Sequence, residues 1–413
     1  MKQTLAQKLV ARAAGRSSVT PGEIVTCKVD LAMMHDSGGP RRVKPMLERL
    51  RAKVWDPSKV VVITDHYLPE YDEESRRIVR SARDWVREAG IASFHDAQGI
   101  CHVVLPERGH LRPGMFAVGG DSHSTTGGAF AAYMFGIGAT EMVGVLVTGE
   151  IWLKVPETIV MEFAGKFAPG TSAKDAMLHL ISRFGLDGGQ YQVVEYRGDA
   201  IRSLPMQERM TLCNMTAELG GQTGLIASDA VTEQFLKTNI DIWESDSDAP
   251  LLAHHRFDAA DIAPQVAAPH SPANTRPVDD FKGIEVNLAY IGACTGAKLE
   301  DLRMAARILE GKRSRIRLLV APASLRDQQA ADAEGVLKIL LDAGAELLPN
   351  ACGMCAGYGE RQLDAGTVAI STTARNFQGR MGSPEAQVFL ASPYTVAASA
   401  VAGRICDPRA LLA

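Results

Sequence analysis

The sequence predicts a layered α/β protein with more than one domain. Three observations carry this. β-branched runs alternate with helical stretches, polar residues collect where those runs end, and 413 residues exceed what one core of ordinary size organises. Lys59–Thr64 (KVVVIT) is a short β-branched run that stops at Asp65-His66, and reads as a buried strand ending in polar residues. Glu73–Ala89 is rich in Arg and Glu with helical character, and Gly90 suits the turn that closes a helix. Ile100–Leu105 and Met115–Gly119 read as further strands. Gly127–Val147, small and apolar with several glycines, reads as a tightly packed helix behind a polar loop. Val286–Ile291 and Arg315–Pro322 read as strands, with a helix expected over Leu299–Leu309. The stretch Ala249–Pro277 holds five prolines and many alanines, and reads as an inter-domain connector. A softer boundary falls near Pro156.

Composition narrows the function. Apolar residues make up 46% and charged residues 22%, a soluble globular profile. A net charge of −4 supplies no basic excess to displace counterions, which argues against nucleic acid as a partner. No apolar run reaches the length of a membrane helix, and Met1–Val19 has none long enough for a signal peptide. Seven cysteines without regular spacing do not make a disulfide framework; a reducing cytoplasm is the expected location.

Cys352-Gly-Met-Cys355 lies among glycines. By itself this spacing fits a redox pair, half a zinc site or part of an iron–sulfur site. Cys294 follows the Val286–Ile291 run and opens the Leu299–Leu309 helix, whose N-terminus favours thiolate charge. The other cysteines (Cys27, Cys101, Cys213 and Cys406) read as small buried hydrophobes. Three cysteine ligands on a four-iron cluster leave one iron open to substrate oxygens.

Asp65-His66 and Asp121 with His123 stand where strands end, the place where open α/β sheets bind ligands. With His102 they are the proton-handling candidates, since a carboxylate orients a histidine and raises its basicity. Glu218 follows Asn214 by four residues in an expected helix, placing both on one side. Arg375 and Arg380 flank a short loop after the cysteine pair and suit carboxylate binding. His254, His255 and His270 read as solvated loop residues.

Taken in order, these segments resemble the aconitase superfamily, in particular the large subunits of isopropylmalate dehydratase and homoaconitase. The matching text is Thr64-Asp-His66, Gly99-Ile-Cys-His102, Gly120-Asp-Ser-His-Ser-Thr-Thr-Gly-Gly-Ala129, Gly136-Ile-Gly-Ala-Thr-Glu141 and Arg209-Met-Thr-Leu-Cys-Asn-Met-Thr-Ala-Glu218. It continues with Ile291-Gly-Ala-Cys-Thr295, Cys352-Gly-Met-Cys355, Ala374-Arg-Asn-Phe-Gln-Gly-Arg-Met-Gly382 and Leu390-Ala-Ser-Pro393. The resemblance implies three α/β/α domains, at residues 1–155, 156–283 and 284–413, around a central [4Fe–4S] cluster. It implies Cys294, Cys352 and Cys355 as cluster ligands. It pairs Asp65 with His66, Asp121 with His102, and Glu218 with His123. It sets Asn214 near the cluster, and Arg375 and Arg380 on substrate carboxylates.

The reaction it implies is dehydration and rehydration of a small hydroxy-acid bearing two or three carboxylates. Related substrates are maleate, citraconate and dimethylmalate. The resemblance also implies a separate small subunit with a swivelling domain that supplies a catalytic serine. The family's usual Cys-Thr-Asn-Gly-Arg is here Cys294-Thr-Gly-Ala-Lys298, Ala374 replaces an asparagine, and Met354 replaces a proline. Gly296, Lys298 and Ala374 are therefore expected to bear on substrate choice. A cluster-bearing sensor and a structural zinc protein are the other classes the cysteines allow.

Overall fold

A computed structural model describes residues 2–359 and 361–412. Three sheets, of five, four and seven strands, form the framework, with a separate two-stranded ribbon. The first sheet is parallel throughout. Its strands lie in the spatial order Ser93–Asp96, Val60–Thr64, Leu31–His35, Phe116–Gly119 and Tyr133–Gly136. The chain starts at the centre, winds to one edge, then returns and winds to the other. Connections after Leu31–His35 and Phe116–Gly119 therefore leave in opposite directions and open a crevice at the carboxyl ends.

The third sheet repeats this winding. Its parallel strands run Ala345–Leu347, Arg317–Val320, Leu288–Ile291, Val368–Ser371 and Gln387–Ala391. Antiparallel strands Gln265–Ala267 and Thr275–Pro277 extend it. The second sheet is parallel, in the order Thr223–Leu225, Val193–Arg197, Thr158–Ala164 and Ala253–Asp258.

Local chemistry accounts for these elements. All five residues of Val60–Thr64 are buried, as a central parallel strand covered on both faces requires. In the helix Glu73–Glu88, Asp72 accepts the Ser75 N–H, and Ile78, Val79, Ala82, Trp85 and Val86 form the buried stripe. The helix Leu299–Leu309 begins where expected, its first turn held by the Asp301 carboxylate on the Lys298 N–H at 3.0 Å.

Three readings are corrected. Ile100–Leu105 is not a strand but part of the helix Cys101–Glu107; an unbroken apolar run has no period, and the Asp65 carboxylate caps the Cys101 N–H at 2.8 Å. Gly127–Val147 is not one helix. A 3-10 helix, Ser122–Phe130, ends at Ala131 (φ 53°), the strand Tyr133–Gly136 follows, and the helix Ala139–Thr148 comes last. Residues 249–277, read as a connector, carry three strands; His254 and His255 sit on Ala253–Asp258, with His254 Nε2 2.6 Å from Glu162 Oε2.

The first and third layers are stitched by backbone. Ile100 N–H donates to Ala323 O (2.8 Å) and Leu325 N–H to Gln98 O (2.9 Å), around a bridge between Gly99 and Ser324. Gly99 has φ +126°, and a Cβ there would lie 2.5 Å from Ser324 Cα, so the crossing needs glycine. Cys352 N–H donates to Asp65 O at 2.9 Å. No described helix is long and apolar enough to cross a membrane.

Candidate active site

The crevices of the first and third sheets face one cleft of about 290 Å³. Larger cavities beside Trp152 (about 420 Å³) and Arg197 (about 590 Å³) hold none of the predicted site residues. The cleft is lined by His66, His102, Asp121, His123, Cys294, Cys352, Cys355, Arg375 and Arg380. Asp65, Asn214 and Glu218 stand directly behind this lining through the bonds described next.

His66 Nδ1 lies 2.6 Å from Asp65 Oδ1, with both side chains buried. Burial alone would push the imidazole down. The Asp65 carboxylate, helped by Asp36 and Asp121, outweighs that and holds it up at about 10. Asp65 responds in kind: burial would raise it, but the His66 charge and hydrogen bond hold it at about 2. This histidine is protonated at neutral pH, with Nδ1–H bound to Asp65 and Nε2–H facing the cleft, 4.0 Å from Asp121 Oδ2.

His102 Nε2 sits 2.9 Å from Asp121 Oδ1, at ion-pair distance but off the line of a hydrogen bond. Burial works to raise the Asp121 carboxyl. The His102, His35 and His123 rings around it hold it well below the carboxylate range. His123 Nε2 lies 2.9 Å from Glu218 Oε1, and Arg375 Nε donates to that same oxygen at 2.5 Å. Against its burial, Arg375 and then His123 hold Glu218 at about 2. Arg375 Nη2 donates to Ser122 Oγ at 2.7 Å, so two of its nitrogens serve the protein. Glu218 itself lies in the turn beyond the helix Met206–Met215 rather than in it.

The three cysteines come from two strand-end segments of the third sheet. Cys294 accepts the Asn214 Nδ2–H at 3.2 Å, and burial pushes its thiol up to about 12. The neighbouring Cys352 thiol, and then the Arg380 guanidinium, pull the Cys355 thiol down against its burial. Arg380 Nε, Asn214 Oδ1 and Glu218 Oε2 are buried without a partner among the described residues. Two other groups gather metal-binding atoms, His35, Asp36, Asp65 and His66, and Cys101, His102 and Asp121. In the first, both carboxylates are already committed: Asp36 accepts the backbone N–H groups of Asp65, His66 and Tyr67 at 3.2, 3.0 and 2.8 Å, and Asp65 holds His66 and Cys101.

Sequence reasoning missed His35 and Asp36. They end the strand Leu31–His35 with the same polar signature as Asp65-His66. His35 stacks on His66 with ring centroids 4.1 Å apart, and burial, then the His66 charge, pushes it down to about 4. Its Nδ1 accepts the Gly38 N–H at 3.3 Å, leaving Nε2–H toward Asp121 Oδ2 at 3.6 Å.

The residues expected to bear on substrate choice lie elsewhere. A Cβ on Gly296 would meet Thr372 Cβ at 2.1 Å, Lys298 is fully buried on Asp301 Oδ2 (2.6 Å), and Ala374 is buried. None of the three lines the cleft. Ser37, Gly38, Arg42 and Tyr358 do.

Comparison with known proteins agrees with this constellation. The profile of the aconitase family (aconitate hydratase) matches residues 6–283 and 277–403. The 3-isopropylmalate dehydratase large subunit 1 of Methanopyrus kandleri is 42% identical over 419 residues, with 100% of both chains covered. A probable methanogen homoaconitase large subunit of Methanosarcina mazei is 44% identical over 386 residues, covering 92% of this chain and 98% of the relative. Aconitase X of Thermococcus kodakaraensis in its holo-form shares the fold, with a TM-score of 0.50 at 13% identity over 87% of this chain and 89% of that one. Carboxylate–histidine pairs facing a cysteine trio across one cleft, on a chain matched along almost its whole length, identify it as a hydro-lyase that belongs to the aconitase family.

Proposed function

We propose that this chain is the cluster-bearing large subunit of a hydro-lyase that dehydrates and rehydrates a small 2-substituted malate, of the isopropylmalate or homocitrate kind. The carrying observation is the meeting in one cleft of three cysteines, three carboxylate–histidine pairs and two arginines. The donor set fits an iron–sulfur cluster. Three thiols share the cleft, an amide already donates to one sulfur, and Arg380 stands by another. A [4Fe–4S] cluster on Cys294, Cys352 and Cys355 leaves one iron without a protein ligand, and such an iron is a Lewis acid toward hydroxyl and carboxylate oxygens.

The chain's own residues supply the rest. Arg380, and the Arg375 nitrogen not held by Glu218 or Ser122, bind substrate carboxylates and so orient the carbon that loses hydroxyl. His66 protonates the departing hydroxyl from Nε2. Asp65 stays ionised and keeps the Nδ1 proton on the ring, so that the proton released is the one on Nε2. Asp121 and Glu218 hold His102 and His123 toward the cleft, where they bind the substrate and the released water. The base that removes the proton alpha to a carboxylate comes from a small subunit, the partner implied by the relatives' designation as large subunits. That subunit covers the cleft and excludes bulk water.

The test is anaerobic reconstitution with iron and sulfide, followed by turnover of a panel of 2-substituted malates with and without a small subunit. About four irons and four sulfides per chain are expected, with no turnover by the chain alone. Zinc in place of iron, or activity of the isolated chain, overturns the reading.

A further inference from the structure

Lys174 stands in the first turn of the helix Ala173–Phe184, where the helix dipole disfavours a cation, and is 1% exposed. Its ammonium reaches out of that helix to the strand ends of the third sheet. It donates to Thr373 O at 2.7 Å, to Thr372 O, and to Thr295 Oγ1 at 3.4 Å. Every acceptor is neutral. Among the described residues no carboxylate lies within ion-pair distance. The adjacent Asp175 is spent on Ser172 and Gln265, and Asp301 is spent on Lys298. A buried cation is tolerated where an anion balances it. Behind Asp301, the negative groups that favour this charge are the Cys355 and Cys294 sulfurs; Thr295 follows Cys294 directly in the chain.

We infer that Lys174 is a positioning residue for the metal group. Its fixed charge offsets the negative charge of the cluster and its thiolates, and its grip on Thr372 and Thr373 holds Arg375 in place. This rests on the cluster reading above. A nearby cation holds an iron–sulfur centre at higher reduction potential and slows its loss. It also makes a distinctive prediction for the empty protein. Without the cluster the ammonium keeps its three hydrogen bonds but has no balancing anion, so removing its charge while keeping a donor costs the cluster-free chain little.

The experiment compares the wild-type chain with Lys174→Met, Lys174→Gln and Lys174→Arg, each cluster-free and anaerobically loaded. Reduction is followed by electron paramagnetic resonance in a redox titration, and cluster loss to a chelator by visible absorbance. For Lys174→Met the expected result is a more negative potential and roughly fivefold faster cluster loss. The cluster-free melting temperature of Lys174→Gln, which keeps a donor, should be close to that of wild type. Arg restores potential and retention, whereas Gln, which keeps a donor but no charge, does not. Potential and retention unchanged in Lys174→Gln overturn the inference and leave Lys174 a neutral tether. If Lys174→Met fails to accumulate, the Gln and Arg variants decide by the same criterion. Failure of the wild-type chain to take up any cluster refutes the parent reading instead, and the inference falls with it.

Discussion

Replacing Asp65 by asparagine exchanges one carboxylate oxygen for an amide nitrogen and leaves the shape of the side chain intact. The amide oxygen still accepts the Cys101 N–H, now at 2.8 Å from Asp65 Oδ2. The amide nitrogen then faces His66 Nδ1 and donates to it, which turns Nδ1 into an acceptor and the ring into its neutral form. Holding the imidazole at about 10 rather than 6.5 corresponds to roughly 5 kcal/mol in favour of the protonated state. Asp36 at 3.8 Å and Asp121 at 4.0 Å remain, but burial of the ring opposes them. His66 should therefore titrate below pH 7 in Asp65→Asn. Histidine-labelled NMR of the cluster-free chain reads that directly. In the complete complex at pH 7, kcat should fall by about 10²- to 10⁴-fold through loss of the acid. KM should hold, because the arginines still grip the carboxylates. A His66 that stays protonated at pH 8 in the variant, or a kcat within a few-fold of wild type, would refute the reasoning.

Stability should depend on pH from both sides. The raised His66 contributes fully below 6.5 and loses its contribution as pH rises through about 10. The depressed Glu218 contributes fully above 4.5 and loses it as pH falls through about 2. Urea midpoints of the cluster-free chain across pH should show both declines, and Glu218→Gln should flatten the acid one. Arg209 is fully buried and bound through two nitrogens to both oxygens of Asp229, each at 2.8 Å. Arg209→Met should lower urea-unfolding stability by about 3–5 kcal/mol, and a loss under 1 kcal/mol would show the pair to be dispensable. Gly99→Ala forces a side chain into Ser324 at φ +126° and should cost at least about 1–3 kcal/mol, with faster amide exchange at Ile100 and Leu325 as its local signature.

The sequence was most legible where a period or a stop signal was strong. Val60–Thr64, Glu73–Glu88 and Leu299–Leu309 fall almost where a β-branched run, capping residues and helical character put them. Cys101–Glu107 escaped because a run such as Cys-His-Val-Val-Leu has no polar face, and only Asp65, distant in sequence, starts it as a helix. The strands at residues 253–277 escaped because prolines and alanines on an edge look like a linker, while the pairing that makes them strands is non-local. In the site, the recognised motifs named side chains that the structure brings into or behind one cleft. His35 and Asp36 were overlooked although their strand-end position matched Asp65 and His66. Gly296, Lys298 and Ala374 were expected to bear on substrate choice because they depart from the family's usual residues. None of them lines the cleft: Gly296 packs on Thr372, Lys298 is held by Asp301, and Ala374 is buried.

The hydrogen bond from Cys352 N–H to Asp65 O joins the loop of the proposed cluster ligands to the anchor of the proposed proton donor through one peptide group. Asp65 has no slack in which to absorb a shift: its carboxylate oxygens hold His66 and Cys101, and its own N–H is held by Asp36. A change in the Cys352 backbone is thus delivered to the His66 ring with little loss. Seating a metal group on the cysteine trio would therefore also load the anchor of the acid, because the two share one peptide link.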